Sequence, residues 1–210
     1  GDQRHQRGGE RPCDRAPRGE LRRRLDVGRG AGQERPAPVV DVGGGRGGLL
    51  SAILLAHPEV RGVLFDQGSV LQDVDRLLVA GQLDRCRLCE GDFFTAVPAG
   101  GDIYVLKRIL HDWSDADALR LLRVCRTALH GDARILVIDA VLSPGNAPDA
   151  NKMLDVGIMA LTRGRERTAE DFQRLFAAAG LTLRRIIPPT APSTLPRPRR
   201  RGARRFDGPR

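Results

Sequence analysis

His111 is the residue whose chemistry stands out first. It follows a mostly apolar run at 102–110, within Leu-Lys-Arg-Ile-Leu-His-Asp-Trp-Ser-Asp at 106–115. A neutral imidazole just past such a run can take a proton at neutral pH. Asp66 closes the run Val63-Leu64-Phe65-Asp66, and a carboxylate there can accept two hydrogen bonds from the vicinal hydroxyls of a ribose. Asp92 and Phe93, in Gly-Asp-Phe-Phe at 91–94, pair an acceptor for an exocyclic amine with an apolar ring, which suits an adenine. Upstream, Pro-Val-Val-Asp-Val at 38–42 breaks at three consecutive glycines, and Gly43, Gly45 and Gly48 fit G-x-G-x-x-G. Glycines at such a turn admit positive φ and let a ligand touch the backbone, while the helix behind offers unpaired N–H groups. A nucleotide-like cofactor beside a proton acceptor is the chemistry implied. The glycines with Asp66 fit a dinucleotide equally well, so an NAD(P)-dependent oxidoreductase stays open at this level.

The elements that must hold these residues follow from apolar periodicity. Val39, Val40 and Val42 predict a strand, and Leu49, Leu50, Ile53 and Leu54 a helix. A second helix is expected over 70–80, stopped by Gly81, and a third strand over 86–94. A fourth strand spans 102–110, Ser114 caps a helix closing at Gly131, and a fifth strand spans 135–141. Helices are then expected over 150–161 and from Thr168 to Gly180, with a last strand at 181–187. Near-continuous apolar strands alternating with helices require a mostly parallel sheet covered on both faces, an α/β, Rossmann-like doubly wound fold. Ligands in such sheets sit at the carboxyl ends of the strands. That rule puts Gly43, Gly45, Asp66, Asp92, Lys107, His111 and Asp139 on one rim.

Charge and composition limit the other classes. The 210 residues are 40% hydrophobic with a net charge of +9, but the charge lies at the ends. Residues 1–36 hold 10 Arg against 6 acidic residues, and 190–210 hold 7 Arg against Asp207 alone, which leaves 37–189 at −1. The module therefore has no basic field, and any nucleic-acid affinity would be tail-driven and unspecific, through residues such as Arg197, Arg199 and Arg204. Cys13, Cys86, Cys89 and Cys125 include one C-x-x-C. A structural zinc site usually needs a second close pair, so no metal is expected. No apolar run reaches 18 residues, and a cytoplasmic protein without a membrane segment is the expectation.

The joint pattern is more specific. Asp-Val-Gly-Gly-Gly-Arg-Gly at 41–47, Phe-Asp at 65–66, Gly-Asp-Phe-Phe at 91–94, the 106–115 stretch and Gly-Arg-Glu-Arg-Thr at 164–168 together resemble the S-adenosylmethionine-dependent O-methyltransferases of the plant caffeic-acid type and their bacterial polyketide-tailoring relatives. The resemblance covers about 38–189. It implies that Gly43 and Gly45 line the methionine part of S-adenosylmethionine, Asp66 holds the ribose, Asp92 and Phe93 hold the adenine, Lys107 lies close by, and Asp41 belongs to the same cofactor site. It implies that His111 is the general base, Glu166 the acid that orients it and Asp139 a second acid, where the family usually has Glu. The implied reaction moves a methyl group to a hydroxyl of a small aromatic acceptor, with no metal. Met153, Met159 and Trp113 are candidate walls for that acceptor.

The ends depart from the family pattern. An N-terminal domain that dimerises and covers the acceptor is expected of relatives, yet 1–36 reads as a disordered Arg/Gly/Pro-rich tail. Residues 190–210 read as a second, Arg/Pro-rich tail where a last strand would be expected. The abrupt switch to arginine, with Lys107 and Lys152 the only lysines, suggests ends translated in a shifted frame of a GC-rich gene. A methyltransferase domain at 37–189, with homodimerisation, last strand and activity impaired, is the reading from sequence.

Overall fold

A computed structural model describes residues 38–187, apart from 73, 75–80, 83 and 147. The expected tails at 1–36 and 190–210 lie outside the described residues, as does most of the helix expected over 70–80.

Strand β1 (Pro38–Val42) leads through the glycine turn into helix α1 (Gly48–Ala56), then β2 (Arg61–Asp66), a single helical turn α2 (Gly68–Leu71) and β3 (Cys86–Glu90). Next come β4 (Ile103–Lys107), a 3-10 turn (Leu110–Asp112), α3 (Asp115–Ala128) and β5 (Arg134–Ile138). The pair β6 (Val141–Leu142) and β7 (Arg167–Thr168) brackets α4 (Ala150–Leu161), and α5 (Ala169–Ala178) follows. The five main strands are all parallel, in the order β3-β2-β1-β4-β5. The chain runs outward from β1 to β3, then returns to β4 on the other side of β1. The winding therefore reverses between β1 and β4, and a crevice opens above the carboxyl ends of those two strands.

The period of two along each strand feeds two cores. Val40 and Val42 of β1 join Tyr104, Leu106, Leu121, Leu122, Cys125, Phe172 and Leu175 on the face covered by α3 and α5. Val39 joins Leu50, Leu54, Leu64 and Val105 on the face covered by α1. Tyr104 is fully buried, and its hydroxyl donates to Pro98 O at 2.9 Å or Ala128 O at 3.1 Å while accepting from Gly101 N. Ser114 caps α3 by accepting from Asp117 N. Thr168 caps α5 in a reciprocal capping box with Asp171, as the sequence suggests.

Three strands stop earlier than their apolar runs. The third ends at Glu90, because Asp92 folds the next residues into a turn by accepting from Phe94 N and Thr95 Oγ1. The fourth ends at Lys107, where Arg108 takes the left-handed φ of 55° and a 3-10 turn begins. The fifth ends at Ile138, and the strand resumes only as β6. The strand expected at 181–187 is not formed: those residues make no ladder, and β5 is the edge of the sheet among the described residues. An alternating pattern becomes a strand only when a neighbour supplies hydrogen bonds, and none does among the described residues. Helix α4 covers its expected span but leaves Met153, Val156, Met159 and Leu161 exposed. Met153 and Met159 therefore wall no closed pocket among the described residues. No helix among the described residues is long and apolar enough to cross a membrane.

Candidate active site

The glycine turn is shaped by close approach. Gly43 and Gly45 take φ of 67° and 58°, and the amides of Gly43 and Gly44 donate to Phe65 O, which ties the turn to β2. The positive φ of Gly43 favours glycine, and a Cβ there would also press on the tip of the Ile109 side chain, 2.6 Å from its Cδ1, beside the Phe93 ring. A Cβ on Gly45 would meet nothing within 4 Å, so this glycine borders open space at the mouth of the crevice.

Asp66 reaches that turn from the end of β2. Its Oδ2 accepts from Gly45 N at 2.8 Å and its Oδ1 from Gln67 N at 2.7 Å. Each carboxylate oxygen keeps a second lone pair, so the group is oriented and still able to accept from a ligand. Asp41 lies beneath the turn, 1% exposed, with neither carboxylate oxygen in a hydrogen bond of ordinary geometry. Burial pushes its carboxyl up to about 6, against the charge of Lys107 and the Leu50 amide, which pull it down. Lys107 ends β4 beside β1 and supplies the positive charge at the floor of the crevice. Phe93 stands edge-on to Phe94 and to Trp113, with ring centroids 4.9 and 6.0 Å away. These ring contacts join the adenine candidate Phe93 to Trp113, two residues past His111 in the chain. Asp92 itself is exposed, and both of its oxygens are engaged by its own turn.

His111 occupies the 3-10 turn after β4 and is 4% exposed. Its Nδ1 lies 2.9 Å from Glu166 Oε1, and Glu166 is 2% exposed. With the carboxylate accepting from Nδ1–H, the ring's lone pair sits on Nε2. The Asp112 carboxylate stands 3.5 Å from that Nε2. Asp139, just past β5, faces the same group: burial pushes its carboxyl up to about 6, the Glu166 charge pushes the same way, and His111 and Arg167 pull it down. Both Asp139 oxygens and Glu166 Oε2 are buried without a hydrogen-bond partner. Two acids thus flank one imidazole inside the rim.

Glu166 arrives on the short segment leading into β7. Its amide donates to Asp155 Oδ1 at 2.7 Å, which fastens the segment to α4. Gly164 packs so tightly on the His111 turn that a Cβ would fall 1.8 Å from His111 O. Arg167, 1% exposed, donates to Leu110 O, Trp113 O and Asp115 Oδ1. Gly164, Arg167, Ile109 and Asp112 escaped the residue-by-residue reading. For Gly164 and Arg167 the available signal was their place in the same five-residue stretch as Glu166.

All of the rim residues expected from sequence do lie at strand carboxyl ends: Gly43 and Gly45 after β1, Asp66 at the end of β2, Asp92 after β3, Lys107 at the end of β4, His111 after β4, and Asp139 after β5. Among the described residues no group of three His, Cys, Asp or Glu side chains is arranged to hold a metal.

A phenazine O-methyltransferase of Lysobacter antibioticus is 47% identical over 151 residues, which cover 71% of this chain and 44% of that protein. The solved structure of a mitomycin 7-O-methyltransferase superposes with a TM-score of 0.70 at 40% identity, over 74% of this chain and 46% of that one. An O-methyltransferase from neocarzinostatin biosynthesis, solved with S-adenosyl-L-homocysteine and 1,4-dihydroxy-2-naphthoic acid, superposes with a TM-score of 0.65 at 37% identity, over 74% and 47%. The chain spans about half the length of the curated relatives it matches. The family model for the O-methyltransferase domain matches residues 34–182, from ahead of the glycine turn to beyond the Glu166 segment, and the chain belongs to that family.

Proposed function

We propose that this chain is the catalytic domain of an S-adenosylmethionine-dependent O-methyltransferase acting on a hydroxyl of a small aromatic acceptor. The observation that carries the reading is the buried His111–Glu166 pair, set at the same rim as the glycine turn and Asp66. The residues present fit the cofactor. Gly45 borders open space with positive φ, Asp41 holds two buried oxygens without partners, and Asp66 retains free lone pairs. Asp41, Gly43 and Gly45 would hold the methionine part, Asp66 the ribose, and Asp92 and Phe93 the adenine, with Lys107 balancing the acids.

When bound, the cofactor supplies a methyl group already activated by its sulfonium. The protein's share is to align the acceptor oxygen and to remove its proton. Glu166 accepts from His111 Nδ1–H and fixes the tautomer, so Nε2 takes the proton from the acceptor hydroxyl. The buried carboxylate also favours the imidazolium that results, and Asp139 adds a second negative charge nearby. General-base help of this kind is worth ~10² to 10⁴-fold. The Phe93, Phe94 and Trp113 rings form one apolar cluster, whose Trp113 lies two residues past His111, on which an aromatic acceptor could lie. The direct test is incubation of the purified chain with methyl-labelled cofactor and a panel of dihydroxynaphthoates and hydroxyphenazines. Label in the acceptor, formed ~10²-fold or more slowly in His111→Ala, supports the reading; transfer at the parental rate in His111→Ala overturns the role of His111.

A further inference from the structure

Arg167 has no part in the chemistry above, yet it is among the most completely buried side chains in the described fold, at 1% exposure. A buried guanidinium needs acceptors around its whole fork. Here Nη1 donates to Leu110 O at 2.7 Å, Nη2 to Trp113 O at 2.9 Å, and Nε to Asp115 Oδ1 at 2.9 Å. The two carbonyls flank His111: one belongs to the residue before it and the other to the second residue after it. The neighbouring Arg165 shares Asp115 but is 40% exposed and reaches neither carbonyl.

We propose that Arg167 is a positioning residue for His111, holding the turn that carries the imidazole at the register in which Nδ1 meets Glu166. The inference rests on the proposed function only for its kinetic consequence. Glu166 and Arg167 are adjacent, so one rigid segment grips both the ring of His111 and the backbone on either side of it. A shift of that segment moves both grips together, which keeps the ring and its acid in register. Asp115, the first residue of α3, anchors the outer end of the fork. The planar fork serves three acceptors in different directions at once, whereas the point charge of lysine on a flexible stem cannot.

The test compares Arg167→Lys and Arg167→Met with the parent chain by NMR of the histidine rings, with the Trp113 fluorescence of this single-tryptophan chain as a second probe. Neither readout requires cofactor or acceptor, so it decides the role of Arg167 even if no methyl transfer is found. The expected result is a displaced or broadened His111 ring signal and an altered Trp113 emission in both variants. Affinity for S-adenosylhomocysteine should stay within about twofold, while turnover, where measurable, falls ~10- to 100-fold through misplacement of the base. Folded Arg167→Lys and Arg167→Met chains with parental His111 and Trp113 signals would overturn the proposal. Should both variants fail to fold, Asp115→Asn, which weakens the exposed anchor and its pair with Arg165 but leaves both carbonyl contacts of Arg167 in place, decides it. A smaller change of the same His111 signal supports the proposal, and an unchanged signal overturns it.

Discussion

Replacing Asp41 with Asn should make the fold more stable at neutral pH and leave it unchanged in acid. The carboxyl is 1% exposed, its oxygens lack hydrogen bonds of ordinary geometry, and burial outweighs the pull of Lys107 and raises it from 3.8 to about 6. Below 3.8 the folded and unfolded chains both hold the proton, and the group contributes nothing. Between 3.8 and about 6 the folded chain keeps a proton that the unfolded chain has lost, so stability falls as pH rises. Above about 6 the ionised carboxylate costs the fold about 3 kcal/mol. Asn has the same shape and no charge, so the variant should gain up to that amount near neutrality. Denaturant unfolding at about pH 7.5 and about pH 4 measures the difference directly. The Asp139 carboxyl, raised for similar reasons, should leave a residual slope in the variant. If the variant is no more stable than the parent at neutral pH, or equally stabilised at both pH values, the burial argument fails. A buried acid retained at such a cost under a glycine turn also implies use, so the same variant should bind S-adenosylhomocysteine more weakly, by roughly tenfold.

Two further outcomes follow from the site. His111→Ala should lower turnover by ~10²-fold or more with cofactor affinity retained, because it removes the proposed proton acceptor and no proposed cofactor contact; a steady-state and binding comparison checks it. Gly164→Ala should destabilise the fold by ~1 to 3 kcal/mol or more and disturb the His111 ring, since its Cβ would fall 1.8 Å from His111 O; thermal unfolding and the ring signal report on each.

The rim was legible because its residues obey local rules. A run of valines ending at glycines, and an acid closing the next apolar run, place Gly43, Gly45 and Asp66 together in any parallel sheet. His111 and Asp139 follow by the same logic. The pairing of His111 with Glu166 was different: 55 residues separate them, and no periodicity joins them, so only the family resemblance pointed to it. Arg167 and Gly164 were illegible for a related reason. Their roles consist of contacts with the carbonyls and backbone of 110–113, which carry no side-chain signature. Strand ends were overextended where a single residue overrides an apolar run, as Asp92 and Arg108 do through turn formation. Residues 181–187 have the alternation of a strand but no partner strand among the described residues, and pairing, which is not local, decides that outcome.

The central claim is that the crevice between β1 and β4 is an S-adenosylmethionine site organised by the glycine turn and Asp66. Calorimetric titration of the purified chain with S-adenosylhomocysteine and, separately, with NAD tests it most directly, in the parent and in Asp66→Ala. Removing Asp66 deletes the proposed ribose acceptor and the bond to Gly45 N, worth ~1.5 to 3 kcal/mol together. The expected result is one S-adenosylhomocysteine site, weakened roughly ten- to a hundredfold in the variant, with no comparable binding of NAD. Preferential binding of NAD, or an S-adenosylhomocysteine affinity indifferent to Asp66 in a folded variant, would contradict it.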